Sequence, residues 1–254
     1  MIYLVDEKRL GDLTDFCENS PFGSKILSLC QCYGLAMPFL DFWLQYDGQE
    51  RVRAALMKFE NAVTIVGSAQ TDTEEIAVFV RAIGFSALNT DIPIELENCT
   101  ENKAIFMEYG GTNRQPPDRF EFQLSGSLYQ AYDIMKSREN NTDFHVPLFE
   151  GFYVDMCHRM RHGGGECAIV FYEKKEAACA LATAVTDKYV LLGVVACRPE
   201  YQNLGLGSAA VRAILSHFAD KSVFVLRDEN KNQNFYQKLG FIERQPIYIY
   251  KLKE

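Results

Sequence analysis

The sequence lacks the features that direct a chain into a membrane or out of the cell. No apolar run approaches the roughly 18 residues that a transmembrane helix needs. The first residues, Met1–Glu7, contain no basic stretch followed by an apolar one, which excludes a typical secretory signal. None of the eight cysteines forms a Cys-x-x-Cys pair, which disfavours the common zinc and dithiol motifs. We therefore expect a reduced protein of the cytoplasm.

Basic charge is scarce in the first half of the chain. Residues 1–118 contain 9 Lys and Arg against 18 Asp and Glu, whereas residues 119–254 contain 17 against 16. Because phosphate backbones are bound by clustered basic side chains, this distribution argues against a nucleic-acid-binding protein. The negative charge attracts cations at long range, but it also serves solubility, so by itself it identifies no substrate.

The 254 residues are enough for two ordinary domains. The segment Gly110–Asp118 is dense in turn-forming residues and predicts a linker. We therefore expect a smaller, acidic α/β domain over residues 1–112 and a second domain over residues 119–254.

Two local patterns in the first domain predict helices. The apolar stretch Ile26–Trp43 predicts helical structure interrupted at Gly34 and Pro38. The run Thr71-Asp72-Thr73-Glu74 has the spacing of a capping box and predicts a helix beginning with Thr71 as its cap.

The second domain predicts the element order β-α-α-β-β-β-α-β-α-β. This is a mixed α+β fold with a central mixed sheet flanked by helices. Arg81–Phe85 in the first domain and Gln237–Phe241 in the second both join a helix to a strand through Gly-Phe. This weak echo suggests that the first domain is a degenerate copy of the second.

The most specific motif predicts a phosphate-binding site. An apolar strand ending at Cys197 is followed by a turn and by the double-glycine loop Gly205-Leu206-Gly207, and then by a helix predicted from Ala209 to Phe218. Glycines let backbone N–H groups approach a ligand closely, and a helix N-terminus favours negative charge.

Together with Phe235-Tyr236-Gln237-Lys238-Leu239-Gly240-Phe241, this segment resembles the GNAT family of acyl-CoA-dependent N-acyltransferases. Gln202-Asn203-Leu204-Gly205-Leu206-Gly207 matches the family's Gln/Arg-x-x-Gly-x-Gly/Ala loop, and the resemblance covers about residues 119–254. It implies the GNAT fold and a site for acetyl-CoA as donor, without a metal. The implied cofactor-binding residues are Val195, Ala196, Cys197, Gln202, Asn203, Leu204, Gly205, Leu206, Gly207, Ser208 and Asn234.

The resemblance also implies a reaction. A primary amine of a small molecule, amino acid or peptide attacks the thioester directly, and a strand amide near Val195 or Ala196 holds the oxyanion. Tyr236 lies where the family often has a tyrosine that protonates the leaving thiolate. Asn234, or alternatively Asn230, occupies the place of an asparagine that commonly touches the cofactor.

The sequence departs from the family at the general base. Several members carry a glutamate eleven residues before the Gln/Arg of the loop, and Leu191 stands there instead. A leucine cannot accept a proton, so the base must come from elsewhere. The candidates are Tyr189, Glu166, Glu173, Glu200 and water.

Two cysteine-containing patterns predict neither a metal site nor a nucleophile. Cys157, His158, His162 and Cys167 match no common zinc spacing, and the glutamate of a zinc-protease helix is missing. Cys197 lies in an apolar strand, where a thiol is usually inert, so an acyl-enzyme is not expected.

Three alternatives stay open. The donor could carry another acyl group, or the protein could bind CoA as a sensor or docking protein without turnover. The chain could act as a monomer or a homodimer. Neither a nucleic acid nor a membrane is expected as a partner.

Overall fold

A computed structural model describes residues 1–139 and 146–253. The chain forms two compact units. The first comprises Met1–Met107, Leu226–Gln233 and Glu243–Glu254, and the second comprises Glu108–Val225 and Asn234–Ile242. The division into domains 1–112 and 119–254 stays a prediction.

The chain up to residue 109 contains six strands and three helices. They are β1 (Ile2–Leu4), α1 (Leu10–Glu18), α2 (Ser24–Tyr33), β2 (Leu40–Tyr46), β3 (Val52–Phe59), β4 (Ala62–Gly67), α3 (Thr73–Ile83), β5 (Ala87–Thr90) and β6 (Cys99–Tyr109).

The rest of the described chain follows the order expected from the sequence. Its elements are β7 (Glu121–Gln123), α4 (Leu128–Lys136), α5 (Phe149–Arg161), β8 (Glu166–Tyr172), β9 (Lys175–Val185), β10 (Tyr189–Cys197), a 3₁₀ turn (Pro199–Tyr201), α6 (Leu206–His217), β11 (Ser222–Asp228), α7 (Gln233–Leu239) and β12 (Phe241–Leu252). The predicted mixed α+β fold is confirmed.

The first unit is built on a mixed sheet with the strand order β1-β2-β3-β4-β5-β12-β6. The strands β4 and β5 are parallel and are connected by α3, whereas the pairs β1–β2, β2–β3, β3–β4 and β5–β12 are antiparallel. The last strand of the chain, β12, thus lies beside β5, where Tyr248 is opposite Thr90. Apolar side chains of β3, β4, β5 and α3 form the core of this unit.

The second unit has the strand order β11-β10-β9-β8-β7. Only β10 and β11 are parallel, and α6 connects them. Cys167 and Ile169 of β8 pack in a core with α4 and α5, whereas Glu166 reaches His217 of α6. Because neighbouring residues of a strand point to opposite faces, α4 and α5 cover one face of the sheet and α6 covers the other.

Two local predictions for the first unit were wrong. The apolar stretch Ile26–Trp43 is helical only as far as Tyr33, and Leu40–Tyr46 is a strand in which Leu40, Phe42, Leu44 and Gln45 are buried. The cap of α3 is Asp72 rather than Thr71, since the Asp72 carboxylate accepts a hydrogen bond from the Glu75 amide at 3.0 Å. The Thr71 hydroxyl donates to the Arg53 carbonyl instead, at 2.7 Å.

All eight cysteines are present as free thiols. Among the described residues, no helix is both long enough and apolar enough to span a membrane.

Candidate acyl donor site

The strand β10 is paired along its whole length on one side only. Its parallel ladder with β11 covers Tyr189 to Leu192 and ends there, opposite Val225. Its antiparallel ladder with β9 continues to Cys197. Within the part of the chain that the structure describes, no ladder therefore occupies the second edge of β10 beyond Leu192.

Hydrogen-bond alternation shows which groups face that open edge. The Arg198 amide donates to the Ala177 carbonyl at 2.9 Å, which fixes the phase of the antiparallel ladder. Since hydrogen-bonded and non-hydrogen-bonded pairs alternate, the peptide groups of Ala196 face β9. Those of Val195 and Cys197 face the open edge. They form an extended row of donors and acceptors for an elongated ligand.

A bulge interrupts β10 just before the open edge. The register with β9 shifts between Leu191 and Leu192 and shifts back between Leu192 and Val194, so Thr183 of β9 and Gly193 of β10 each lack a paired residue. A Cβ atom on Gly193 would lie 2.3 Å from the Thr183 Oγ1 atom and 2.4 Å from its Cγ2 atom. Thr183 therefore occupies the space that any other residue at position 193 would need. Sequence reasoning missed this feature, although a lone glycine inside an apolar strand is its usual signal.

The loop after β10 presents backbone N–H groups. Asn203 and Gly205 have positive φ angles of 62° and 89°, and Gly205 is the residue before α6. The helix has no acidic residue in its first turn and no side-chain cap. Its first backbone acceptor is the Gly205 carbonyl, which receives the Ala209 amide. The amides of Leu206, Gly207 and Ser208 thus precede the helix ladder, as in an anion site.

The structure joins the loop to the open edge. A Cβ atom on Gly207 would lie 3.8 Å from the Phe235 ring and 4.0 Å from the Val195 side chain. The glycine loop, the edge of β10 and the start of α7 therefore meet at one place. Leu204 is partly exposed, whereas Leu206 is buried at the start of α6.

Tyr236 is buried and follows Phe235, whose ring lies near Gly207. Its ring makes edge contacts with Phe235 and Phe241, with centroid distances of 5.0 and 5.5 Å. Burial raises the pKa of the Tyr236 phenol to about 12. The phenol therefore keeps its proton at every pH at which an amine acceptor is useful, which suits a proton donor.

The two candidate asparagines are both exposed. Asn234 lies in the first turn of α7. Asn230 lies in the preceding turn, where its amide donates to the Asp228 carboxylate at 2.9 Å.

Of the candidate bases, Glu166 is already engaged. Its carboxylate accepts the amides of Ser125 and Cys167, both at 2.7 Å, and lies 3.5 Å from His217 Nε2. His217 is the last residue of α6. A helix of this length rises about 18 Å, so Glu166 lies at the far end of α6 from the glycine loop.

Among the contacts of the described residues, none orients the other candidate bases toward the loop. Tyr189 packs against Phe224 with a centroid distance of 5.7 Å, at the start of β10. Glu173 lies in the turn between β8 and β9 with a φ of 49°, and Glu200 is exposed in the 3₁₀ turn.

Cys197 has the properties of a neutral thiol. Its Sγ atom lies 3.4 Å from the Tyr201 carbonyl, and burial raises the pKa of the thiol above its ordinary value. A raised pKa reduces the thiolate fraction that a nucleophile needs.

His158 and His162, at the C-terminal end of α5, contact each other and the backbone of this helix. The rings of His158 and His162 stack with a centroid distance of 4.1 Å, and His162 Nδ1 lies 2.8 Å from the His158 carbonyl. Within the described ranges, no three His, Cys, Asp or Glu side chains are grouped as metal ligands.

The first unit repeats the element order of the second as far as β5, but it has no helix between β5 and β6 and lacks the features of the donor site. Its parallel ladder β4–β5 also ends after four pairs, at Ile65 and Thr90. The Gly67 amide just beyond donates to the Asp91 carboxylate at 2.9 Å, and Ile92 fills the space beside Gly67.

The helix that follows in the first unit is also unsuited to phosphate. Asp72 caps the N-terminus of α3, and Glu74 and Glu75 lie in its first turn. These carboxylates occupy the N-terminus of α3 and would repel an anion there, whereas the start of α6 is free of them.

Residues 128–241 match the model of the Acetyltransferase (GNAT) family. No curated protein is similar in sequence at a significant level.

Solved structures match the whole chain in fold. A tandem GNAT protein from the clavulanic acid biosynthesis pathway is 12% identical, with a TM-score of 0.56 over 100% of this chain and 99% of that one. A Drosophila protein is 9% identical, with a TM-score of 0.63 over 98% of both chains. A GCN5-related N-acetyltransferase from Sphaerobacter thermophilus is 9% identical, with a TM-score of 0.59 over 100% of this chain and 96% of that one. The chain therefore has the GNAT fold, and its residues 128–241 match the model of the GNAT acetyltransferase family.

Proposed function

We propose that the protein is an N-acetyltransferase that moves the acetyl group of acetyl-CoA to a primary amine. The observation that carries this proposal is the open edge of β10, which leads directly into the glycine loop at the start of α6. An elongated ligand with a phosphate-rich end fits this combination. The family is one of acyl-CoA-dependent acyltransferases, which supports the general reaction class.

The residues present fit the donor. The amides of Leu206, Gly207 and Ser208 would hold the pyrophosphate, because the two glycines leave room for close approach. The outward-facing peptide groups of Val195 and Cys197 would pair with the amides of the pantetheine arm. The thioester would then lie near the Gly193 bulge.

The chemistry proceeds in a ternary complex. The neutral amine attacks the thioester carbon, the new C–N bond forms, and the Val195 amide stabilises the negative oxygen, since the Ala196 amide is directed to β9. As the C–S bond breaks, Tyr236 gives its proton to the sulfur. The amine proton leaves to a base, and the described contacts assign no side chain to that role. Water remains the candidate that fits this arrangement.

We expect one donor site per chain, because the first unit lacks an open counterpart of the donor edge. Asp91 and Ile92 fill the counterpart of the donor edge, and carboxylates surround the N-terminus of α3. We interpret this unit as a degenerate copy of the GNAT fold. Its negative charge favours positively charged acceptors at long range.

The test measures CoA release by purified protein with acetyl-CoA and a panel of amines that includes amino acids, polyamines and peptide N-termini. We expect release that depends on one amine class. Release with another acyl-CoA and not with acetyl-CoA would favour the alternative donor. Binding of acetyl-CoA without turnover across the panel would favour a sensor or docking protein, and the absence of binding would refute the proposal.

A further inference from the structure

Arg119 lies against the glycine loop although it is 85 residues away in sequence. Its Nη2 atom donates a hydrogen bond to the Leu204 carbonyl at 3.2 Å. Its guanidinium also stacks on the Phe120 ring, 4.6 Å from the ring centroid. A Cβ atom on Gly205 would lie only 3.3 Å from the same Nη2 atom. The stacked ring and the carbonyl therefore fix a positive charge at the entrance of α6.

Most of the donors of Arg119 are still available to a ligand. A guanidinium has five N–H donors, and the side chain is exposed with one hydrogen bond, that to Leu204, among the described residues. The neighbouring arginines are committed elsewhere. Arg198 donates to the Glu176 carbonyl and pairs with Asp133, and Arg212 donates to the Asn113 carbonyl.

The loop itself supplies no positive side chain. Between Arg198 and Arg212 the sequence contains one charged residue, Glu200. A diphosphate carries two negative charges, and backbone amides alone offer only partial positive charge. Charge-assisted hydrogen bonds from a guanidinium to phosphate are stronger than those from neutral donors.

We infer that Arg119 is a donor-binding residue that contacts the pyrophosphate of CoA. This inference rests on the proposed function, because it assumes that the loop holds a CoA thioester. The pyrophosphate is chosen over the 3′-phosphate because Arg119 lies directly beside Gly205, at the amides that cradle the pyrophosphate. The loop motif does not predict Arg119, because this residue lies before β7, far from the motif in sequence.

The experiment compares three variants at position 119 by titration calorimetry. Arg119→Gln keeps a donor for the Leu204 carbonyl but removes the charge, Arg119→Lys keeps the charge without the planar fork, and Arg119→Ala removes both. Arg161→Ala, an exposed arginine on α5, is the matched control for charge removal. The ligands are CoA and 3′-dephospho-CoA, and the melting temperature of each variant verifies folding.

We expect Arg119→Gln and Arg119→Ala to weaken both ligands about tenfold, which corresponds to about 1.4 kcal/mol. Arg119→Lys should lose less, and Arg161→Ala should bind as the wild type does. The loss should shrink as salt is added, because it comes from charge.

Three results would overturn the inference. Wild-type affinity in Arg119→Gln would show that the side chain only ties down the Leu204 carbonyl. A loss seen with CoA and not with 3′-dephospho-CoA would move the contact to the 3′-phosphate. In both cases wild-type binding of CoA leaves the proposed function intact. Failure of the wild type to bind either ligand would instead refute the proposed function and this inference with it.

Discussion

The contact between Gly193 and Thr183 gives the sharpest test of the donor site. In Gly193→Ala, the added methyl group would lie 2.3 Å from Oγ1, 2.4 Å from Cγ2 and 2.9 Å from Cβ of Thr183. To relieve contacts this short, the Thr183 side chain and residue 193 would have to move apart by about 1 Å. Overpacking of a tightly packed site typically costs about 1–3 kcal/mol.

The backbone of β9 resists such a shift. The Arg159 guanidinium donates to the Thr183 carbonyl at 2.7 Å, and the same guanidinium is held by the Asp155 carboxylate at 2.6 and 2.7 Å. The strain should therefore fall on β10 and distort the bulge. For a chain of this size a loss of about 2 kcal/mol lowers the melting temperature by about 4–8 °C.

The assay is a double-mutant cycle by thermal and urea unfolding, with acetyl-CoA turnover measured in parallel. Thr183→Ala removes Oγ1 and Cγ2, so the double variant should regain at least about 1 kcal/mol relative to Gly193→Ala. Turnover of Gly193→Ala should fall mainly in kcat, because the proposed position of the thioester lies beside Gly193. A melting temperature of Gly193→Ala within 1 °C of the wild type, or no recovery in the double variant, would refute this account.

Four further outcomes follow from the geometry. Tyr236→Phe should lower kcat at least about tenfold at pH 8 with unchanged acetyl-CoA affinity, and equal turnover of the two proteins would remove the phenol from the mechanism. Gly205→Ala should cost about 1–2 kcal/mol of stability because position 205 has a left-handed φ, whereas Gly207→Ala, with no atom closer than 3.8 Å to its new Cβ, should unfold like the wild type. Calorimetry should give one acetyl-CoA per chain, and a second site would contradict the filled edge of the first unit. Burial raises the pKa of Asp91 to about 6, so the folded state favours its neutral form, and the wild type should lose stability as pH rises from about 4 to above 6. Asp91→Asn should be more stable at pH 8 by up to about 3 kcal/mol and equal to the wild type below pH 4, and parallel stability curves would exclude this assignment.

Local sequence signals were sufficient where the chain's own periodicity decides the structure. The order of elements after residue 119, the helix α7 at Gln233–Leu239 and the glycine loop all follow from short-range patterns. The failures came where tertiary packing competes with local preference. Leu40–Tyr46 is a strand because it pairs with β1 and β3, and no pattern within the apolar stretch reveals those partners.

The capping of α3 shows the same limit at a single position. Both Thr71 and Asp72 are good caps, and both have a glutamate three residues later. The Thr71 hydroxyl donates a hydrogen bond to the Arg53 carbonyl on β3, and Asp72 caps the helix instead. Only the position of β3 decides between them.

The sequence by itself determined the glycine loop and the helix start that follows it, because both depend on local backbone geometry, and together with the Tyr236 motif they predicted the donor chemistry. The tertiary structure decided which groups of that motif are available. Hydrogen bonding to β9 directs Val195 and Cys197 outward and Ala196 inward, and the end of the β11 ladder leaves their edge open. In the tertiary structure Glu166 also accepts hydrogen bonds at the far end of α6, and Arg119 lies against the loop. Pairing across strands and contacts over 85 residues of chain have no signature in a local pattern, which is why these assignments needed the fold.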